Sequence, residues 1–483
     1  MNVMSITSYD HYDLYDRQSS DATAYNWQLL NPKLPAGPLE NGGYYHVDNV
    51  TQEFRLTSPD HGPLKYVAGL YGSGQWATRW SARGVGFDLD SLQNQSTPGS
   101  GAYYFYSAHD QIQTYAAFGQ AAYDVTDQLT VVGGLRFEHD ANGYRFTVST
   151  VGNNSQTYGA PHCQKGTPSG LSADTCNDTN VPTGKAAVQY KLTPDLMVFV
   201  DYARGYKGLA YDLTSGSTGG GKTSSGPFAG YPTSDVIAHA QPIAPERANA
   251  YELGFKGAFF ERRVTWNATA FIENLYDYQT SRQNPITLLK ELASVPEVST
   301  RGLESELAAR PFAGFTISGN GAYDLAQSNS YPQATCFSAQ TTAQGCIGGF
   351  QDLTGKVLAN APRWSASLNA NYEFALNADY NGFVDSSLRW QSMVNTSTIL
   401  DPNAVQSSYG IVNLSGGVAA EKWRFTLFAD NLFDQHYAIN RGSQSLINVN
   451  PYGGKAGPYV NATNWIPARD SSRYVGVKFD VNY

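Results

Sequence analysis

The chain ends on Arg473 to Tyr483, RYVGVKFDVNY, and this stretch decides the fold. Read two residues at a time, Arg473, Val475, Val477, Phe479, Val481 and Tyr483 fall on one side. Tyr474, Gly476, Lys478, Asp480 and Asn482 fall on the other. A period of two belongs to a β-strand, not a helix. One face is almost wholly apolar and the other is small or charged. A strand has this form when one side meets lipid and the other a watery lumen. Such a strand cannot stand alone. Lipid offers no hydrogen-bond partner, so each unpaired backbone group there costs several kcal/mol, and every strand needs two neighbours.

Working outward from that stretch, the same alternation recurs. It appears at about 1–10, 48–57, 64–80, 112–125, 129–146, 183–192, 196–206, 247–260, 262–278, 298–311, 314–328, 363–376, 380–395, 409–420, 423–438 and 469–483, about sixteen strands. In one of them, Trp364, Ala366, Leu368, Ala370, Tyr372 and Phe374 oppose Ser365, Ser367, Asn369, Asn371 and Glu373. The short connections read TSPDHGPL, VTDQ, LTPD, FFERR, RPFAG, ALNAD and AAEK. They alternate with long ones at roughly 81–111, 147–182, 207–246, 279–297, 329–362, 396–408 and 439–468. In an up-and-down barrel this sorts short turns to one end and long loops to the other. The fold expected is all-β, a transmembrane antiparallel up-and-down β-barrel. A soluble sandwich does not sort its loops by end, and its strands are shorter.

Composition agrees. The 483 residues include 33 Tyr, 47 Gly and 8 Trp but only 4 Met, and no apolar run approaches a spanning helix. A net charge of -9 argues against nucleic acid as a partner. The start, MNVMSITSYDHYDLYDRQ, shows neither a basic n-region nor an apolar h-region.

Cys163, Cys176, Cys336 and Cys346 form two local pairs in Gly/Ser/Thr-rich segments, which points to two loop disulfides made in an oxidising compartment, the alternatives being free thiols or a cross-pairing. No His stands at zinc-ligand spacing near them. The run GSTGGGKT at Gly216–Thr223 fits the phosphate-loop pattern, but no strand precedes it and Pro and Gly follow where a helix would start. The histidines are scattered, and no Ser, His and carboxylate set suggests an enzyme. No cofactor or metal site is expected.

Two clusters are candidates for ligand contact. Tyr103, Tyr104, Phe105 and Tyr106 precede a strand, either as an interfacial aromatic belt or as a stacking surface for an incoming ligand. Arg204, Tyr206, Lys207 and Tyr211 leave another strand. They suit an anionic ligand, but also pairing with the lumenal carboxylates Glu252, Glu304 and Glu306 or with lipopolysaccharide phosphates.

Several stretches together resemble the barrel of TonB-dependent outer-membrane receptors. They are TQEFRLTS (51–58), LKYVAGLYG (64–72), YARGYKG (202–208), PERANAYELGFKG (245–257), STRGLESELAARP (299–311), APRWSASLNANYEF (361–374), ADNLFDQHYA (429–438) and the closing ARDSSRYVGVKFDVNY. The resemblance spans nearly the whole chain. It implies a monomer in the outer membrane of a Gram-negative cell, surrounded by lipid and lipopolysaccharide. It also implies uptake of scarce, bulky nutrients such as ferric siderophores, powered through the TonB complex. The family barrel has 22 strands and a plugged lumen. Residue 1 already reads as barrel strand, so residues 1–483 are expected to form a single barrel domain without the plug and TonB box. TonB-energised transport then requires that a plug be supplied. The alternatives are a plugless passive channel or a non-functional receptor fragment. Sixteen strands either close as a smaller barrel or leave two terminal edges apart.

Overall fold

The computed structural model describes residues 1–19, 39–59, 61–85, 102–150, 156–159, 176–213, 242–283, 290–337, 340–445 and 461–481. Among the described residues, sixteen long strands carry the fold. They are β1 (Asn2–Ser19), β2 (Leu39–Thr57), β3 (Leu64–Val85), β4 (Ala102–Asp124), β5 (Leu129–Thr150), β6 (Cys176–Thr193), β7 (Leu196–Lys207) and β8 (Glu246–Phe259). There follow β9 (Val264–Gln283), β10 (Lys290–Ala309), β11 (Phe315–Asp324), β12 (Trp364–Ala375), β13 (Asn381–Gln391), β14 (Tyr409–Ala419), β15 (Trp423–Asp430) and β16 (Tyr474–Val481). Each pairs antiparallel with the next, from β1 through β16. This is the expected up-and-down barrel wall. Among the described residues no ladder joins β1 to β16.

Several strands reach further toward the long loops than alternation suggested. β4 begins at Ala102 and so takes in the Tyr103–Tyr106 stretch. β15 is shorter, because Asn431 and Asp434 take left-handed backbone (φ 49 and 56) that ends the ladder.

The seven short connections close by local chemistry. The Thr126 hydroxyl accepts from the Gln128 and Leu129 amides at 3.2 and 3.0 Å. The Asn377 side chain accepts from the Asp379 and Tyr380 amides at 2.9 and 3.0 Å. Both are side-chain-capped turns that free the backbone to reverse.

Registers carry one apolar face around the whole wall. Phe54 faces Leu70, Leu253 faces Ala270, Tyr323 faces Trp364 and Leu427 faces Val477. On that face Leu70 is 61%, Leu135 76%, Leu253 63% and Val477 68% exposed. An apolar belt this open belongs against hydrocarbon. The other face is polar and ion-paired, with Arg55–Glu53, Arg136–Glu138, Lys185–Asp201 and Arg424–Asp385.

Phenylalanines on the lumenal face have a specific solution. Phe118 lies opposite Gly69, Phe199 opposite Gly254, Phe271 opposite Gly302, Phe383 opposite Gly417 and Phe428 opposite Gly476. In each case a Cβ added to the glycine would meet the ring at 2.5–2.9 Å. The ring lies over bare backbone that a side chain could not share with it. Cations cover three of these rings: Arg424 at 3.5 Å above Phe383, Arg136 at 5.9 Å from Phe118 and Lys256 at 5.9 Å from Phe199.

Candidate functional site

The long-loop rim is where the described loops turn inward and tie to one another. After β7, residues 208–213 cross the inner wall. Tyr211 is buried and stacks on Tyr144 of β5 with ring centroids 4.4 Å apart and planes within 5°. The Asn177 amide donates to the Tyr211 hydroxyl at 2.7 Å, and the Tyr144 hydroxyl donates to the Asp212 carbonyl at 3.0 Å. On the far side the Leu292 amide of β10 donates to the Asp212 carboxylate at 3.1 Å. The Gln279 side chain of β9 donates to the carbonyls of Gly208 and Ala244 at 2.8 and 3.0 Å. Residues 208–213 thus strap β5 and β6 to β9 and β10.

A second tie sits across the rim. Arg389 of β13 donates to the Tyr437 hydroxyl and to Asp470 Oδ2, each at 2.9 Å, and Tyr437 also donates to Asp470. Tyr409 of β14 stacks on Tyr437 at 4.0 Å. Burial works against the Asp470 charge, but the bonds from Tyr437 and Arg389 outweigh it and hold the carboxyl below the usual carboxylate range. The Asn431 side chain donates to the Gln435 and Asp470 carbonyls, both at 3.1 Å, and so closes the base of the last loop.

The loop between β11 and β12 carries the Cys336–Cys346 disulfide, as expected. Within it Gln351 donates to the Thr335 and Ile399 carbonyls, both at 2.8 Å, which links this loop to the next. Below the rim, Asn371, Asp385, Ser387, Asn413, Thr426 and Lys478 line a polar recess of about 550 Å³ on the lumenal wall.

The sequence-predicted residues divide among different places. Tyr211 lies inside, in the strap. Tyr206 lies beside Asp140. The β6–β7 ladder stops at Gly184–Arg204, which lets the end of β7 lean across. Arg204 keeps the outward register of Val198 and Val200, and with Arg247, Asn249 and Tyr276 it lines a recess of about 270 Å³. Glu252 has the opposite parity, so register separates it from Arg204. Tyr104 pairs with Arg83 and Thr150, and Tyr106 with Ser81 and Val148; the side chains of Tyr103, Tyr104 and Tyr106 lie outside the described residues. So do Cys163, the Cys176 side chain and Gly216–Thr223. Tyr144, Asn177, Arg389, Tyr437 and Asp470 were not singled out by the sequence. Parity places Tyr144 and Arg389 on the lumenal face, but only the register shows what they meet.

Comparisons with known proteins fit this architecture. The profile of the family described as TonB dependent receptor-like, beta-barrel matches residues 4–432. The pesticin receptor of Yersinia pestis is 24% identical over 445 residues, which is 89% of this chain and 54% of that protein. The pesticin receptor of Yersinia enterocolitica is 25% identical over 445 residues, with the same 89% and 54% coverage. The ferric yersiniabactin uptake receptor FyuA from Yersinia pestis superposes with a TM-score of 0.63 at 19% identity, over 93% of this chain and 56% of its own. The siderophore receptor PiuA from Acinetobacter baumannii gives 0.59 at 15% identity, over 98% and 62%. At these identities the structures speak for the fold. The chain spans about half the length of the curated relatives it matches.

Proposed function

We propose that this chain, which belongs to the TonB-dependent receptor β-barrel family, is the wall of an outer-membrane receptor that takes up a ferric siderophore or a similarly bulky chelate. The family consists of receptors and transporters, not enzymes. The observation that carries the reading is a rim of mutually tied loops, rich in Tyr, Asn and Gln, standing over a polar, ion-paired lumen. Loops braced against one another over a wide polar lumen suit a large chelate better than a small ion. Tyr103, Tyr104, Tyr106 and Tyr206 are proposed as ligand contacts, with Tyr211 positioning the strap from inside it and Arg204, on the outward side of the rim, meeting the anionic part of a ligand or a lipopolysaccharide phosphate. TonB energises uptake in this reading, and lipid and lipopolysaccharide surround a monomeric wall. The curated relatives named as receptors and the structural neighbours named for siderophore uptake support it.

The test is radiolabelled iron uptake by cells whose only chelate receptor is the full product of this gene, supplied with a panel of ferric siderophores. The reading predicts uptake of at least one chelate, abolished without TonB, and weakened binding in Tyr211→Ala. Passage of small solutes without TonB and without chelate binding refutes it in favour of a passive channel.

A further inference from the structure

The β1–β2 hairpin carries a group that the receptor reading does not use. His11 faces Asp48 and Asp13 faces His46 in register, so four side chains form a square on the outward face. Every side of the square is closed. His11 Nδ1 lies 2.9 Å from Asp48 Oδ1, and His46 Nε2 lies 2.9 Å from Asp48 Oδ2. His11 Nε2 lies 3.1 Å from Asp13 Oδ2, and His46 Nδ1 lies 2.8 Å from Asp13 Oδ1. Tyr9 donates to Asp48 at 2.7 Å and Tyr44 to Asp13 at 2.6 Å.

Proton counting leaves two ways to complete the square. A neutral imidazole has one N–H and one lone pair. Two neutral rings bring two protons to four nitrogen–oxygen contacts, so two contacts would set a lone pair against a carboxylate oxygen. If both N–H groups point to Asp13, both lone pairs converge on Asp48. Two imidazolium rings would satisfy all four contacts, and a cation held by the two lone pairs and Asp48 satisfies them with the rings neutral. Ligand atoms of His11, His46 and Asp48 all lie within 4.8 Å of one another. A tetrahedral ion with bonds of about 2.0–2.1 Å needs ligands roughly 3.3 Å apart, which small rotations of exposed side chains supply. Asp13 then takes the second N–H of each ring, the partner that metal-bound histidines ordinarily have.

We propose that His11, His46 and Asp48 bind a divalent ion of the zinc class, with Asp13, Tyr9 and Tyr44 orienting them, and that the ion pins β1 to β2. Imidazole with carboxylate selects zinc and its transition-metal neighbours over calcium or magnesium. Three protein ligands leave the fourth position to water. The side chains are not enclosed by protein, at 45% exposure for His11 and 27% for His46, so no part of the wall has to open to admit an ion.

The full receptor, purified in detergent and stripped with a chelator, is titrated with zinc by calorimetry, and cobalt(II) serves as an absorbance probe of ligand geometry. One ion per chain and a tetrahedral cobalt spectrum are expected. His11→Gln with His46→Gln removes both, and Asp13→Asn weakens binding by about 10–100-fold, as loss of an orienting partner does. Heat-modifiable gel mobility confirms that each variant is folded. Absence of zinc uptake by the folded receptor, or wild-type affinity in the double variant, overturns the proposal and leaves a square of doubly protonated rings.

Discussion

Gly417 tests the lumenal wall at one atom. A Cβ there would stand 1.9 Å from the Phe425 carbonyl oxygen and 2.9 Å from the Phe383 ring. Ordinary contact begins near 3.4 Å, so β14 and β15 would have to part by about 1.5 Å. A backbone hydrogen bond near 2.9 Å does not survive that stretch. Val418–Phe425 and Gly417–Thr426 are the pairs affected. Leaving even one buried group unpaired costs about 1–3 kcal/mol, and overpacking commonly costs about as much. Gly417→Ala is therefore expected to lose about 3 kcal/mol. Phe383→Ala should not rescue it, because the carbonyl clash remains. Gly133→Ala is the control: a Cβ there meets nothing within 4 Å, and its effect should stay within about 0.5 kcal/mol. The assay is urea unfolding of protein refolded into vesicles, followed by heat-modifiable mobility. A Gly417→Ala midpoint equal to that of Gly133→Ala would refute the reasoning.

Three further outcomes follow from the rim. Tyr211→Phe removes the hydroxyl that accepts from Asn177, and about 1 kcal/mol of strap stability should go with it, read as roughly fivefold faster amide exchange in residues 208–213. Cys336→Ser with Cys346→Ser should expose residues 340–345 to protease while leaving the urea midpoint of the wall unchanged, because the disulfide closes only a local loop of sequence separation 10. The Asp470 carboxyl is held below its ordinary range. Its contribution is therefore complete above the ordinary carboxylate pKa and is lost as pH falls through the lower folded value. Exchange protection of residues 468–473 should persist at mildly acidic pH, drop below that range, and be insensitive to pH there in Asp470→Asn.

Alternation made the wall legible, because lipid on one side and water on the other leave a period of two in every strand. RYVGVKFDVNY shows it most clearly, and β16 presents Val475, Val477, Phe479 and Val481 on the exposed face. The order of short and long connections gave the topology. Strand ends were harder to read. In Tyr103–Tyr106 four consecutive aromatics erase the alternation, yet the ladder runs through them. Beyond Asp10, β1 mixes charged, aromatic and apolar residues on both faces, so nothing in its pattern marks where it stops. Pairings across the wall were not legible at all. Tyr144 meets Tyr211 and His11 meets Asp48 only once the register is fixed, and no local pattern sets a register that depends on the whole hairpin. Arg204 shows the consequence: its charge suggested Glu252 as a partner, and parity puts the two on opposite faces.

Successive side chains of one strand meet hydrocarbon and water in turn. Single cysteines placed at Val475, Gly476, Val477, Lys478 and Phe479, in a variant with serine at its four native cysteines, are labelled with a fluorophore in vesicles containing a lipid-borne quencher. Strong quenching is expected at 475, 477 and 479 and little at 476 and 478. Uniform quenching, or none, along the five positions would contradict it.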